Sequence, residues 1–246
     1  MGKIYCVGDI HGCLDKLNNL LNKLNIQPTD TVICLGDYVD RGPDSYGVIE
    51  RLLQLKQECK CIFLCGNHDD CWFHDTLFRE GYDIEPTKLN KLLNNERRYT
   101  LWGQGARETY QSYINAGVNP EVHLPFYKML EPYYVLELDG EKHLFVHGGY
   151  NRHELLEKQK NSSKLWWDRD LLGAARAAYN RIIPEDYLFK NKDGFKYIYV
   201  GHTPVIYWGY DRPTLFCNVW ALDTGVGKHN DATLYALEIT TQTLIK

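Results

Sequence analysis

Five short glycine-flanked motifs carry the residue types that bind divalent metal ions. In chain order they are GDIHG at residues 8–12, GDYVDRG at 36–42, GNHD at 66–69, HGG at 147–149 and GHT at 201–203. Their Asp, Asn and His side chains are ligands for hard and borderline divalent cations. The chain has nine histidines, and four of them fall in these motifs. The sequence therefore predicts a hydrolase that uses two metal ions.

Six residues of these motifs form the predicted ligand set: Asp9, His11, Asp37, Asn67, His147 and His202. We expect Asp9 and His11 to share one ion with Asp37, because residues two apart in an extended segment point the same way. Asp37 is the predicted bridge to the second ion, since a carboxylate has two oxygens. Each motif alone has an ordinary explanation as a polar turn or a strand end, so the prediction rests on their conjunction.

The pattern of apolar residues predicts the elements that bring these motifs together. Apolar runs at residues 4–7, 31–35 and 61–65 each end at a motif glycine, and leucine-rich stretches at helical spacing lie between them. This order of strand, loop and helix predicts parallel strands with right-handed crossovers. Because the carboxyl ends of parallel strands meet along one edge of a sheet, we expect the ligands to converge there.

The middle of the chain differs from both ends. Residues 69–134 are predicted to be mostly helical, with clear helical segments at 88–93 and 106–116. Further on, Asp139-Gly140 lies between two apolar runs and predicts a hairpin. A helix is predicted at 171–179 and strands at 197–200, 217–222 and 233–239. We predict one α/β domain over residues 1–246, with a helical insertion at about 70–132.

Composition excludes several classes of protein. A net charge of −4 over 246 residues argues against a general nucleic-acid or membrane-surface binder, and no apolar run approaches the roughly 18 residues of a membrane span. We expect no signal peptide, because residues 3–7 lead directly into the first motif. The eight cysteines lack the paired spacing of a structural zinc site and are predicted to be free thiols in a reducing cytoplasm.

The ordered motifs resemble those of the phosphoprotein-phosphatase family of metallophosphoesterases, particularly its compact bacterial and phage-type members. The resemblance spans residues 8–203, and GDYVDRG is its most specific motif. It implies a β-sandwich flanked by helices, with two metal ions at the sheet edge and the same six ligands. It also implies hydrolysis of phosphomonoesters in a single step, without a phosphoenzyme. Mn(II) is expected from the bacterial members, and Fe or Zn also suit these ligands.

The same resemblance implies roles for the remaining polar residues of the motifs. His68 would be the general acid and Asp40 would orient its imidazole. Arg41 would bind the phosphate with its planar guanidinium. Arg169, in Trp166-Trp167-Asp168-Arg169, matches a second phosphate-binding arginine in a looser motif, for which a surface salt bridge is the ordinary alternative. Asp69 and Asp223 are predicted to support the structure.

The sequence favours a protein serine/threonine phosphatase, acting on a phosphorylated protein or a small phosphoester. The alternative within the same site is a symmetrical bis(5'-nucleosyl)-tetraphosphate hydrolase, whose branch often alters the segment that holds Asp40 and Arg41. A metal-binding scaffold that has lost catalysis is a third hypothesis, which the presence of His68, Asp40 and Arg41 disfavours. Pro204 stands where nucleases and related phosphoesterases carry a second histidine, which argues against a nucleic-acid substrate. No nucleic-acid or membrane partner is expected.

Overall fold

Two five-stranded sheets organise the chain, seen here in a computed structural model that describes residues 2–71, 102–160, 163–181 and 189–246. The strands are β1 (Ile4–Val7), β2 (Thr31–Cys34), β3 (Lys60–Phe63), β4 (Tyr133–Leu138), β5 (Glu141–Val146), β6 (Tyr197–Val200), β7 (Thr214–Phe216), β8 (Val219–Ala221), β9 (Ala236–Glu238) and β10 (Thr243–Ile245). The helices are α1 (Leu14–Leu24), α2 (Ser45–Glu58), α3 (Asn67–Cys71), α4 (Arg107–Ala116), α5 (Leu124–Lys128), α6 (Lys164–Trp167) and α7 (Asp170–Tyr179).

Each sheet contains three adjacent parallel strands. The first sheet has the order β10-β9-β1-β2-β3, in which β1, β2 and β3 are parallel, as the sequence predicts. The second has the order β4-β5-β6-β8-β7, in which β5, β6 and β8 are parallel. The antiparallel strands β10, β4 and β7 lie at sheet edges, and the antiparallel β9 lies between β10 and β1.

Alternating side chains along the strands build the layers of the fold. Cys6 and Ile33 of the first sheet join Phe145, Tyr199 and Trp220 of the second in a cluster between the sheets. The rings of Phe145 and Tyr199 stack at 4.5 Å between centroids. The next residues along each strand face the helices instead. The predicted sandwich flanked by helices is therefore confirmed.

Helices α1 and α2 pack on the outer face of the first sheet. Helix α1 buries four leucines at helical spacing, Leu17, Leu20, Leu21 and Leu24. Helix α2 starts after Asp44, whose carboxylate accepts a hydrogen bond from the Gly47 backbone N–H at 2.8 Å. These two helices carry the chain back across the sheet, so that β2 and β3 start at the same edge as β1.

Several sequence predictions differ from the structure in detail. The hairpin at Asp139-Gly140 is confirmed, with φ of 52° and 79° at the two turn residues. The predicted strand at 217–222 was wrong at its start, because Cys217 has a φ of 55° and lies in the turn before β8. Strands β7 and β10 were not predicted. The helix predicted at 88–93 lies outside the described residues, while the described part of the insertion contains α4 and α5. In the portions that the structure describes, no helix is long and apolar enough to cross a bilayer.

Candidate metal centre and active site

The residues of all five motifs follow the carboxyl ends of parallel strands. Asp9 and His11 follow β1, Asp37 follows β2, and Asn67 begins α3 shortly after β3. In the second sheet, His147 directly follows β5 and His202 follows β6. Because the two sheets pack face to face, these loops meet at one end of the sandwich. The structure thus brings together all six predicted ligands, each of which is buried.

The backbone of these loops is unusually strained. Five motif residues without glycine's freedom adopt positive φ: His11, Asp37, Asp40, Arg41 and His202. Hydrogen bonds between the loops hold this conformation, because Ile10 N and His11 N both donate to Asp37 O at 3.1 and 2.9 Å. The premise that Asp9 and His11 lie in an extended segment was therefore wrong, since His11 has a φ of 46°. Such strain is typical of functional sites.

At two motif positions the backbone passes so close to a ligand carboxylate that only glycine fits. A Cβ atom on Gly66 would lie 2.1 Å from Asp37 Oδ1, and one on Gly201 would lie 2.2 Å from Asp9 Oδ1. Any other residue at either position would push a carboxylate out of place. These glycines let two ligand carboxylates pack directly against neighbouring backbone.

One cluster of donor atoms forms around Asn67. Its Oδ1 atom lies 2.8 Å from His202 Nδ1 and 3.1 Å from His147 Nε2. His147 Nε2 is also 3.4 Å from Asp37 Oδ1. One ligand atom each from Asp37, His147 and His202 lies within 4.8 Å of the others. This cluster combines one carboxylate, one amide oxygen and two imidazoles, which suits a divalent transition-metal ion.

A second cluster forms on the other side of Asp37. His11 Nε2 lies 3.5 Å from Asp37 Oδ2 and 3.9 Å from Asp9 Oδ2. Asp37 thus turns Oδ1 toward one cluster and Oδ2 toward the other, which is the arrangement a bridging carboxylate needs. His68 also approaches this cluster, where atoms of His11, Asp37 and His68 lie within 4.8 Å of one another.

Hydrogen bonds orient two imidazoles of these clusters so that each can bind a cation. His11 Nδ1 lies 2.8 Å from Val39 O, and His147 Nδ1 lies 3.0 Å from Leu35 O. A carbonyl only accepts, so each Nδ1 carries a proton and each Nε2 is directed at the cluster, as in metal sites. Burial disfavours a charged His147, yet Asp37 outweighs it and raises the pKa of His147 to about 9. The field that holds this proton would also hold a metal ion in its place.

His68 belongs to a buried hydrogen-bonded chain. Its Nδ1 atom lies 2.6 Å from Asp40 Oδ2, as the predicted orienting role of Asp40 requires. The other oxygen, Asp40 Oδ1, accepts a hydrogen bond from Thr109 Oγ at 2.7 Å, and Asp40 N donates to the same hydroxyl oxygen at 2.7 Å. Burial lowers the pKa of His68, but the charge of Asp37 and the bond to Asp40 raise it above its usual value.

Helix α3 explains how Asn67 and His68 face different partners. Both residues open α3, so their side chains leave the helix in different directions. His68 N donates to Asp37 Oδ1 at 2.9 Å, so the helix start holds the bridging carboxylate. Asp69 Oδ2 accepts from Asp37 N and Gly66 N at 2.6 and 2.9 Å, which agrees with a supporting role. Burial, followed by the charge of Asp37, raises the pKa of Asp69 to about 7.

The two predicted phosphate-binding arginines line a single cavity of about 480 Å³ together with His202. Arg41 is hydrogen-bonded to His11 Nε2 and, at 2.9 Å, to His68 Nε2. Because a guanidinium only donates, each Nε2 accepts a hydrogen bond from Arg41 in this arrangement. An ion bound by His11, or a proton on His68 Nε2, therefore requires the Arg41 side chain to move aside. Arg169 donates to Thr203 Oγ at 3.0 Å and to His202 O at 3.3 Å.

Three residues that the structure brings to this region were not predicted from the sequence. Thr109 lies on α4, far along the chain from its partner Asp40, and a threonine inside a helical pattern gives no signal of such a contact. Tyr207 and Lys228 line the 480 Å³ cavity. The turn just after GHT contains Tyr207, and the glycines at 225 and 227 mark a turn before Lys228. Neither sequence feature predicts which side chain faces the cavity.

Comparison with known proteins agrees with this geometry. A family model described as calcineurin-like phosphoesterase matches residues 2–205. That span contains all five motifs and every residue of the two donor clusters.

Three similar proteins cover different shares of the chain. The asymmetrical bis(5'-nucleosyl)-tetraphosphatase PrpE of Oceanobacillus iheyensis is 28% identical over 95% of this chain and 88% of its own length. A symmetrical bis(5'-nucleosyl)-tetraphosphatase of Photorhabdus laumondii is 47% identical, but only over 26% of this chain and 23% of its own length. A crystal structure provisionally assigned as a diadenosine tetraphosphatase superposes with a TM-score of 0.56 at 20% identity, covering 99% of this chain and 92% of its own. This last similarity shows the fold.

We predict that Asp37→Asn weakens metal binding at both clusters together. The amide removes the negative charge that faces His11 on one side and His147 on the other. Mutating a residue that only supports a metal ligand typically lowers metal affinity by roughly 10- to 100-fold. Because Asp37→Asn changes a ligand itself, the affinity for Mn(II) should fall by at least that much. Titration with Mn(II) followed by elemental analysis measures this directly. The exposed Asp211→Asn is the control, and two ions held as tightly by Asp37→Asn as by this control would show that Asp37 is not the bridge.

Proposed function

The chain belongs to the calcineurin-like phosphoesterase family, and from this membership we propose that it hydrolyses dinucleoside tetraphosphates asymmetrically. The sequence alone favours a protein phosphatase, with a symmetrical bis(5'-nucleosyl)-tetraphosphate hydrolase as the alternative. The relatives support a bis(5'-nucleosyl)-tetraphosphate hydrolase better than a protein phosphatase. The relative that matches nearly the whole chain is named as an asymmetrical enzyme. Symmetrical relatives match smaller shares of the chain, between 26% and 78%, so we place asymmetrical cleavage first.

The observation that carries this proposal is a pair of cavities that share Arg41 and Gly227. One is the 480 Å³ cavity beside Arg169 and His202. The other, of about 400 Å³, is lined by Leu14, Pro43 and their neighbours. A substrate with a nucleoside at each end of a phosphate chain can extend into both cavities while its phosphates lie at Arg41. A single phosphoserine side chain needs only one of them.

The chain's own residues supply binding and proton transfer. Arg41 and Arg169 are placed to bind phosphate oxygens, since a guanidinium donates two parallel hydrogen bonds. Asp40 holds His68 with Nε2 directed at the centre. The raised pKa of His68 favours its protonated form once Arg41 leaves Nε2 to bind phosphate. Metal ions bound at the two clusters would neutralise phosphate charge and lower the pKa of a coordinated water.

The proposed reaction breaks one phosphoanhydride bond. The oxygen of a water molecule bonds to the phosphorus next to one nucleoside, and the bond from that phosphorus to its bridging oxygen breaks. His68 Nε2 gives its proton to the bridging oxygen as it leaves, and the water's protons pass to solvent. The products are one nucleoside monophosphate and one nucleoside triphosphate.

We expect diadenosine tetraphosphate to yield AMP and ATP in equal amounts in the presence of Mn(II). Its kcat/KM should exceed that of a phosphoserine peptide by more than about 100-fold, since binding at two cavities adds to transition-state stabilisation. Initial rates and product chromatography over a panel that also includes p-nitrophenyl phosphate measure both quantities. Two molecules of ADP would indicate symmetrical cleavage instead, and a preference for the phosphopeptide would restore the protein-phosphatase hypothesis.

We predict that His68→Asn leaves both clusters able to bind Mn(II) while kcat falls by roughly 10²- to 10⁴-fold. A general acid matters most when the leaving oxygen is basic, so the loss should be larger for phenyl phosphate than for p-nitrophenyl phosphate. Steady-state kinetics on both esters and metal analysis test this. The exposed His153→Asn is the matched control. An equal loss on the two esters, or the loss of an ion, would remove the assignment of His68 as the acid.

Thr109 should act as a positioning residue for the same proton transfer. Thr109→Val keeps the shape of the side chain but removes the hydroxyl that bonds Asp40 Oδ1 and Asp40 N. Losing a buried hydrogen bond to a charged group costs about 1.5–3 kcal/mol, so kcat should fall by about 10-fold or more, again most strongly for phenyl phosphate. Thr109→Ser should restore activity. Full activity of Thr109→Val, or failure of Thr109→Ser to recover it, would contradict this role.

A further inference from the structure

The 480 Å³ cavity is positively charged in a protein that is acidic overall. Among its described lining residues, Arg41, Arg169 and Lys228 are cationic, and Glu108 is the one carboxylate. The whole chain carries a net charge of −4. A local excess of positive charge of this kind attracts a polyanion.

Lys228 lies beyond the groups that a single phosphate needs. Arg41 bonds the imidazoles of His11 and His68, and Arg169 bonds the loop of His202, so both belong to the reaction centre. Lys228 instead interacts with Tyr207, to whose hydroxyl it donates a hydrogen bond, and its Nζ lies 5.1 Å from the centre of that ring. Lys228 is thus a third cation of the cavity whose bonds run to Tyr207 rather than to the reaction centre.

Tyr207 presents an exposed aromatic surface in the same cavity. It is 51% exposed, whereas most large aromatic side chains of the described residues are buried. Its turn, Val205–Trp208, follows His202 closely along the chain. The edge-on ring of His229, 6.2 Å away between centroids, limits its movement. A held but exposed aromatic ring beside cationic side chains is the arrangement that stacks nucleobases.

We propose that Tyr207 and Lys228 form a subsite for the nucleoside triphosphate end of the substrate. Tyr207 stacks on the nucleobase, and Lys228 binds a phosphate that does not react. This inference rests on the proposed function and names the residues that would distinguish a nucleotide from a simple phosphoester. Because Lys228 and His229 follow Gly227 directly, the subsite is fixed to the loop that also contacts Arg41.

The test measures inhibition of p-nitrophenyl phosphate hydrolysis by three anions, with free Mn(II) held constant. ATP carries a base and a phosphate chain, tripolyphosphate carries the chain alone, and inorganic phosphate carries neither. Tyr207→Ala should raise the inhibition constant of ATP about 10-fold relative to that of phosphate and leave tripolyphosphate unchanged. Lys228→Ala should raise the constants of both ATP and tripolyphosphate by roughly 5- to 10-fold relative to phosphate.

Two matched variants separate the roles of the side chains. Tyr207→Phe keeps the ring and should retain most of the affinity for ATP, and Lys196→Ala, a distant exposed lysine, should change none of the three constants. An unchanged ATP constant in Tyr207→Ala would overturn the stacking role. A tripolyphosphate constant unaffected by Lys228→Ala would overturn the phosphate role.

This experiment does not depend on turnover of a dinucleotide. If diadenosine tetraphosphate is not hydrolysed but the ATP constant rises in Tyr207→Ala, the subsite stands and the proposed substrate is wrong. If diadenosine tetraphosphate is hydrolysed and the ATP constant does not change, the proposed function stands and the subsite is wrong.

Discussion

The structure depends on keeping several carboxylates buried together at one end of the sandwich. Asp9, Asp37, Asp69 and Asp223 are each nearly inaccessible to solvent, and burying unpaired charge is costly. Burial and the charge of Asp223 raise the pKa of Asp9, whereas His147 and its neighbours overcome burial and lower that of Asp37. Backbone N–H groups satisfy Asp69. The remaining negative charge explains why imidazoles, Arg41 and divalent cations suit this place.

The strained loops follow from the same constraint. Short connections must deliver carboxylate, amide and imidazole groups from two sheets to within a few ångströms. Left-handed backbone at Asp37 and His202 turns each of these two loops sharply enough to bring its ligand into the cluster. Glycine is then required where a ligand carboxylate packs against the backbone of another loop. Gly66, which lies against the Asp37 carboxylate, is one such position. The loops cannot relax toward ordinary conformations without separating the donor atoms, so their strain and their chemistry have one cause.

The sequence predicted the features that follow from the order of the motifs and the spacing of apolar residues. Apolar runs ending in ligand motifs predicted the parallel strands, and strand ends fixed where the ligands meet, even though the assumed extended backbone at His11 was wrong. Contacts that depend on tertiary packing were not predictable. Thr109 meets Asp40 from 69 residues away, and nothing local in its helix marks the contact. The exposure of Tyr207 likewise depends on how its turn packs against His229 rather than on its own neighbours in sequence.

Substrate recognition and the metal centre are joined through the loop that follows Asp223. Asp223 Oδ1 accepts a hydrogen bond from Gly225 N at 2.7 Å, and its backbone oxygen accepts one from Val205 N at 2.9 Å. The loop then passes so close to the first motif that a Cβ atom on Gly227 would lie 2.6 Å from His11 Cβ. Asp223 thus fixes both the turn of Tyr207 and the loop of Lys228 against His11 and Arg41. Arg41 and Gly227 line both cavities, so an ion that displaces Arg41 from His11 moves that guanidinium at the point where the two cavities meet.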